Sequence, residues 1–267
     1  MLDTFYLSLI QALTEFLPVS STAHIIVLSK ICHIPTIGRL TEVALHMGTL
    51  LVVMVYFRRN LQEWIQGFFM LLQGKITKGF HQFLMISLAT IPVTIIGYII
   101  HHYTGEGTRS LAIMGWSSIC FGVLLFFVDR RSLTQKNIAT MTYPDAIIIG
   151  FLQVIALIPG ASRLGTTLMA GRLLGYTRES AAHFSFLLSL PVIFGANLLV
   201  LLDTPPQAIL GMATHGLGAM VFCFFLGYGV LAVFMRWLKS HTLAPFALYR
   251  ILFGGYVLYL AHTSSPF

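Results

Sequence analysis

The stretch from Gly79 to Gly105 contains no Asp, Glu, Lys or Arg, and four other long stretches share that property: Ser110 to Val128, Ser180 to Leu202, Thr204 to Met235 and Ile251 to Phe267. A helix needs about 20 apolar residues to cross a bilayer. In water, a helix apolar on every side would need to be buried all round. This chain has little polar surface with which to bury five of them. Of its 267 residues 57% are hydrophobic and only 9% charged, against roughly 25% charged in a soluble domain, and the mean hydropathy is +0.84. The chain therefore reads as an all-α integral membrane protein. Six transmembrane helices are expected at about 43–57, 80–101, 110–128, 181–202, 215–235 and 245–262, the first reaching back toward Leu40. The segment Leu61 to Gly74 has one polar side and carries Trp64, which suits a helix lying in the membrane interface.

The N-terminus shows no basic region followed by a small-residue cleavage site, so no removable signal peptide is expected. Three scattered cysteines, Cys32, Cys120 and Cys223, contain no C-x-x-C pair. They read as packing residues, neither a disulfide framework nor a thiolate metal site. The net charge of +7 could suggest nucleic acid, but its distribution assigns it to orientation. Arg58, Arg59, Lys75 and Lys78 follow the first span, Arg130, Arg131 and Lys136 the third, and Arg236 and Lys239 the fifth, while Arg172 and Arg178 precede the fourth. The alternate loops hold Arg109 in one and no Lys or Arg in the other. By the positive-inside rule both termini lie outside.

Two apolar stretches do not fit as spans. Leu7 to Ser29 is interrupted by Pro18, and Ile148 to Gly171 by Pro159 and Gly160, each break being rich in small polar residues. Non-helical backbone at membrane depth is tolerated only where protein or a water-filled cavity satisfies it. Both are therefore expected to be re-entrant helical hairpins, at about 5–30 and 145–175, meeting inside the bundle. Gln11 and Gln153 open them, a Leu-Pro or Ile-Pro step follows, and serine comes next. With three spans after each hairpin, the chain divides into halves at about 1–135 and 140–267 within a single membrane domain covering residues 1–267. The charge rule makes these inverted-topology repeats, which usually place their site where the repeats meet near the midplane.

The break residues carry the chemistry. "PGASRLGTT" places Ser162, Arg163, Thr166 and Thr167 around Gly160 and Gly165. An arginine at membrane depth costs about 3 kcal/mol or more and calls for an anionic partner. Its planar fork suits phosphate or carboxylate, and the following helix start can aim free N–H groups at the same anion. "EFLPVSSTAH" supplies Glu15, Ser20, Ser21 and His24, with Gln11 one turn before Glu15. Carboxylate, hydroxyl, imidazole and guanidinium suffice for phosphoryl transfer. Blander readings stand beside this one: Arg163 and Glu15 as a structural ion pair, Ser20 and Ser21 as a helix cap, and His24 as a hydrogen-bonded structural residue.

At this level of detail the sequence resembles a known family. "LTEFLPVSSTAH" and "PGASRLGTT" are similar to the two signature motifs of the bacitracin-resistance family of undecaprenyl-pyrophosphate phosphatases, E/Q-x-x-x-E-F-L-P-I/V-S-S-T-x-H and P-G-x-S-R-S-G-x-T. The likeness continues through "TEVALHMGTLLVVMVYFRR" and "HFSFLLSLPVIFGAN". The resemblance implies six spans with two re-entrant hairpins as inverted repeats. It also implies a membrane hydrolase in the bacterial cytoplasmic membrane, with its site facing the outer side, that removes the terminal phosphate of the C55 isoprenyl pyrophosphate. A divalent cation, Mg2+ or Ca2+, is implied as cofactor, with Gln11 and Glu15 at the positions that bind it or polarise the nucleophile. Ser21 falls at a candidate nucleophile and His24 at the motif histidine, for which nucleophile, acid and base roles are all open. Ser20, Ser21, Ser162, Arg163 and Thr167 fall at pyrophosphate-binding positions. The partners implied are the polyprenyl pyrophosphate and membrane lipids, with a homodimer left open and no nucleic acid. Two departures stand out: Gln11 removes a charge that glutamate would bring, and Leu164 replaces the serine after the arginine.

Two rivals belong to other classes. A lipid transporter or flippase would share the inverted-repeat architecture and would move substrate without releasing phosphate. The other major type of lipid phosphatase resembles a fold marked by K-x6-R-P, P-S-G-H and S-R-x5-H, and this chain has no P-S-G-H.

Overall fold

The computed structural model describes residues 2–32, 38–104, 110–131 and 136–263, and among these it is helical with no strand. The loop containing Arg109 and part of the inner loop, 132–135, lie outside the described residues. Eleven α-helices follow in order: α1 (Leu2–Thr14), α2 (Ser21–Ile31), α3 (Arg39–Tyr56), α4 (Arg58–Leu71), α5 (Lys78–Thr104), α6 (Leu111–Arg131), α7 (Tyr143–Gln153), α8 (Arg163–Leu173), α9 (Arg178–Leu202), α10 (Pro206–Trp237) and α11 (Ala244–Thr263). Six of them, α3, α5, α6, α9, α10 and α11, are long and apolar enough to cross a membrane. They fall where the uncharged runs place them. The first starts at Arg39 because Glu42 and His46, which interrupt its hydropathy, turn toward a polar cavity between helices.

Of the five shorter helices, α4 packs beside α5 and the other four come in two pairs. At 1.5 Å per residue, α1 is about 20 Å long and α2, α7 and α8 about 17 Å each, short of the roughly 30 Å hydrocarbon core. The first pair is separated at Pro18, which has no N–H to continue a helix, and by Ser20 at φ 73°. In the second, α7 tightens into a 3-10 turn over Val154–Leu157, then passes Pro159, Gly160 at φ 90° and Ser162 at φ 69°. Gly160 has a second reason to be glycine. A Cβ there would collide with the Ser117 hydroxyl and the Met114 carbonyl of α6. The break is thus pressed against that span, and Ser117 donates a hydrogen bond to the Pro159 carbonyl.

Two features fix the frame around the breaks. The helices α6 and α11 cross at Gly115 and Gly254, where a Cβ on Gly254 would lie 2.6 Å from the Gly115 carbonyl oxygen. Small residues allow such backbone contact between membrane helices. At the other end, Asp129 of α6 is 3% exposed. It accepts bonds from Arg178 Nε at 2.6 Å and Nη2 at 3.0 Å, and from the Leu243 backbone N–H at 2.9 Å, with Arg172 Nε 3.4 Å away. The ends of α6 and α8 and the starts of α9 and α11 are thereby tied together.

Candidate functional site

Ser20 and Ser162 sit in matching places: each holds a left-handed backbone, uncommon for a residue with a side chain, immediately before a helix. The turn aims the starts of α2 and α8 into one cavity of about 430 Å³, lined by Ser20, Ser21 and Thr22 from one break and Ser162, Arg163 and Leu164 from the other. Two helix N-termini facing one space make it favourable for an anion. Glu42 and His46 of α3, His101 of α5 and Asn197 of α9 complete its polar wall.

Glu15 is the hub of the floor. Its Oε2 accepts a hydrogen bond from the Ser21 hydroxyl at 2.6 Å and one from Gln11 Nε2 at 3.2 Å. Its Oε1 lies 3.2 Å from Arg163 Nη2, and His46 Nε2 is 3.8 Å from Oε2. Arg163 also donates from Nη1 to the Ser185 carbonyl at 3.2 Å. These two bonds use two of the five N–H groups of a guanidinium. Arg163 is one of the residues lining the cavity.

Sequence reasoning named seven other positions, and the structure distributes them unevenly. Glu15, Ser20, Ser21 and Ser162 line the cavity together with Arg163. Ser162 also caps α8, its hydroxyl accepting from the Gly165 N–H at 3.2 Å, whereas Ser20 makes no side-chain cap. Thr167 stands one turn behind, its hydroxyl bonded to the Arg163 carbonyl at 2.8 Å and to the Ser185 hydroxyl. His24 is not among the cavity-lining residues. Its Nδ1 lies 2.7 Å from the Ser20 carbonyl oxygen and its Nε2 2.7 Å from the Tyr249 hydroxyl, with Phe253 stacked on the ring at 3.9 Å. A carbonyl only accepts, so Nδ1 carries the proton, and in the neutral ring Nε2 accepts from Tyr249. Gln11 is fully buried, and its Oε1 has no hydrogen-bond partner.

Arg250, in the middle of α11, was missed. It is 0% exposed and donates to the Pro18 carbonyl at 3.1 Å and to the Gly160 and Ala161 carbonyls at 2.9 Å each. A single guanidinium thus holds both breaks. Room for it depends on Gly165, where a Cβ would lie 2.8 Å from Arg250 Nη1. The signal was present, since an arginine inside an apolar span is expensive and implies a purpose.

For a divalent cation the donors are few. Among the described residues no three His, Cys, Asp or Glu side chains gather to hold a metal. The nearest oxygens are those of Glu15, the buried Oε1 of Gln11 behind it and, on the wall, those of Glu42. Such a set would leave most of a hard cation's shell to water and substrate phosphate.

The fold and the cavity define a class: a multi-pass membrane protein with a polar cavity where two interrupted helices meet inside the bundle. The model of one family, described as bacitracin resistance protein BacA, matches residues 4–256. The chain belongs to that family. Similar curated proteins include the undecaprenyl-diphosphatase of Jannaschia sp. (strain CCS1), 38% identical over 261 residues and 97% of each chain. That of Nitrosococcus oceani is 39% identical over 261 residues, covering 95% of this chain and 96% of the relative. Undecaprenyl-diphosphatase 1 of Rhodospirillum rubrum is 38% identical over 269 residues, covering 98% of this chain and 95% of the relative.

Proposed function

We propose that this protein hydrolyses undecaprenyl pyrophosphate to undecaprenyl phosphate and inorganic phosphate at the outer face of the bacterial cytoplasmic membrane. The lipid carrier is thereby returned for cell-wall and surface-polymer synthesis, and bacitracin resistance follows from the same activity. The observation that carries the proposal is the 2.6 Å bond from the Ser21 hydroxyl to Glu15, whose other oxygen meets Arg163 where two helix starts converge.

The terminal phosphate sits against Arg163 and the N-termini of α2 and α8, which offset its charge and that developing in the transition state. Glu15 takes the proton of Ser21 as the serine oxygen attacks the terminal phosphorus. The new Ser–O–P bond forms as the anhydride P–O bond breaks, and the lipid monophosphate leaves as an anion that needs no proton. Water then attacks the phosphoserine and its protons leave on the released phosphate, while Glu15 returns the proton it took to the departing Ser21 oxygen, which regenerates both serine and carboxylate. His24, with both nitrogens engaged outside the cavity, serves by fixing the Ser20 carbonyl and hence the turn. Thr167 serves by holding Arg163. A divalent cation, Mg2+ or Ca2+, held by Glu15 with Gln11 or Glu42, would neutralise phosphate charge.

The finer architecture belongs to the same proposal. Gln11, Ser20 and the first pair of short helices correspond to Gln153, Ser162 and the second, and "TEVALH" in α3 has its counterpart in "RESAAH" in α9. These correspondences support two re-entrant hairpins in inverted repeats within one membrane domain. The cavity lies toward the start of α3, where Arg39 joins its lining, and the ends of α5 and α9, at the opposite end from Arg58, Arg130, Arg131 and Arg236, which supports an outward-facing site. A homodimer remains compatible with this arrangement.

Phosphate release by purified protein supplied with undecaprenyl pyrophosphate is the test. Turnover supports hydrolysis, whereas lipid movement in vesicles without phosphate release would favour a transporter.

A further inference from the structure

On the hydrolase reading the cavity takes the phosphate head, but a C55 tail cannot fit in about 430 Å³, so the tail must lie along a groove beside it. Most of the floor is closed by buried side chains of the breaks and α9. The wall between α3 and α9 is different. Val43 lines the phosphate cavity and also lines a second, apolar groove of about 240 Å³ formed by α3, the end of α9 and α10. On α9 the handover is equally short: Val200 faces the cavity and Leu201 the groove. The groove walls include Leu40, Ala44, Met47, Leu217 and Met220, with no charged residue among the described lining. Leu217 is 57% exposed, so the groove opens on the lipid-facing surface.

A larger apolar groove, about 640 Å³, lies between α6 and α11 around Phe127 and Leu248, but it shares no lining residue with the phosphate cavity. Adjacency across Val43, not size, decides between them, because a tail covalently joined to the bound phosphate must start beside the cavity.

We infer that the groove between α3 and α10 is the exit path and binding site for the first isoprene units of the substrate's polyprenyl tail, an inference that rests on the hydrolase reading. Bilayer lipid is as apolar as the groove, so burial there brings no hydrophobic gain. The groove acts by shape: it sets the direction in which the tail leaves and thereby the angle at which the pyrophosphate enters. Met47 and Met220 suit this role, since unbranched thioether side chains adapt to a flexible, methyl-branched chain.

The test uses a short prenyl pyrophosphate carrying a diazirine at the end of its tail, photolysed on the full-length protein and mapped by mass spectrometry. Cross-links are expected at Met47, Leu217 and Met220 and should disappear under excess undecaprenyl pyrophosphate. Cross-links at Phe127 and Leu248, or spread evenly over the lipid-facing helices, would overturn the inference. Phosphate release is measured on the same preparation. If the wild type releases none, the hydrolase reading fails; if it releases phosphate while the label lands elsewhere, only the groove fails. As a second arm, Leu217→Trp fills the groove without touching the phosphate cavity, and KM for undecaprenyl pyrophosphate should rise about fivefold with kcat little changed. An unchanged KM in folded Leu217→Trp protein would count against the groove.

Discussion

A carboxylate, a hydroxyl and an arginine within one hydrogen-bonded chain stand out in so apolar a protein, and each was visible in the sequence because a charged or polar side chain at membrane depth demands a reason. Glu15, Ser21 and Arg163 were legible on that ground. The sequence could not give the direction in which a side chain points, and His24 shows this: one turn past Ser20, it turns away to Tyr249 and Phe253. Arg250 escaped notice for a different reason, being counted as part of a span. Arg163→Lys keeps a charge and loses the fork that reaches Glu15 and Ser185 together, so kcat should fall about 100-fold in steady-state phosphate release. Near-normal activity would move the phosphate anchor elsewhere. Arg250→Gln removes the cation shared by three carbonyls, so a lower midpoint of thermal unfolding is expected together with a lower kcat. Arg250→Lys should recover stability better than activity, since an ammonium cannot span both breaks as a fork does. Equal recovery of both would reduce Arg250 to a packing role.

At the scale of elements, uncharged length located the six long helices, and Pro18 and Pro159 located the breaks. The ends of the helices were less legible. Arg172 and Arg178 read as orientation charges, yet both turn inward to Asp129, a partnership between residues 43 and 49 positions apart that local pattern cannot reveal. The consequence is testable by denaturation in detergent. Asp129→Ala removes the carboxylate that faces both Arg178 and the nearly buried Arg172, and should cost about 3 kcal/mol or more. A loss under about 0.5 kcal/mol, the range of ordinary surface changes, would mean that the tie contributes little. The crossing of α6 and α11 offers a second check. Gly254→Leu would drive a side chain into the Gly115 carbonyl and Ile119, and because both helices brace the breaks through Ser117 and Arg250, activity should fall along with stability. A stable, fully active Gly254→Leu protein would show the crossing to be more yielding than the backbone contact implies.

For the whole molecule, charge distribution and internal similarity support the proposed orientation: most basic helix ends on one side, the polar cavity toward the other. Replacing the exposed Cys32 and Cys120 and introducing cysteine at Gln73 or His262, both exposed, gives a direct reading. An impermeant maleimide should label the His262 position in intact cells and the Gln73 position only after permeabilisation, and labelling of both from one side would contradict the outward-facing site. The central claim is that Glu15 and Ser21, brought together across a broken helix, act as one unit on the terminal phosphate. The most direct measurement is kcat for undecaprenyl pyrophosphate hydrolysis by Ser21→Ala, Glu15→Gln and the double variant. Groups that act as a unit are strongly non-additive, so each single change should lower kcat by about three orders of magnitude and the double variant should be no worse than either. Losses that multiply in the double variant, or a Ser21→Ala protein that turns over near the wild-type rate, would contradict it.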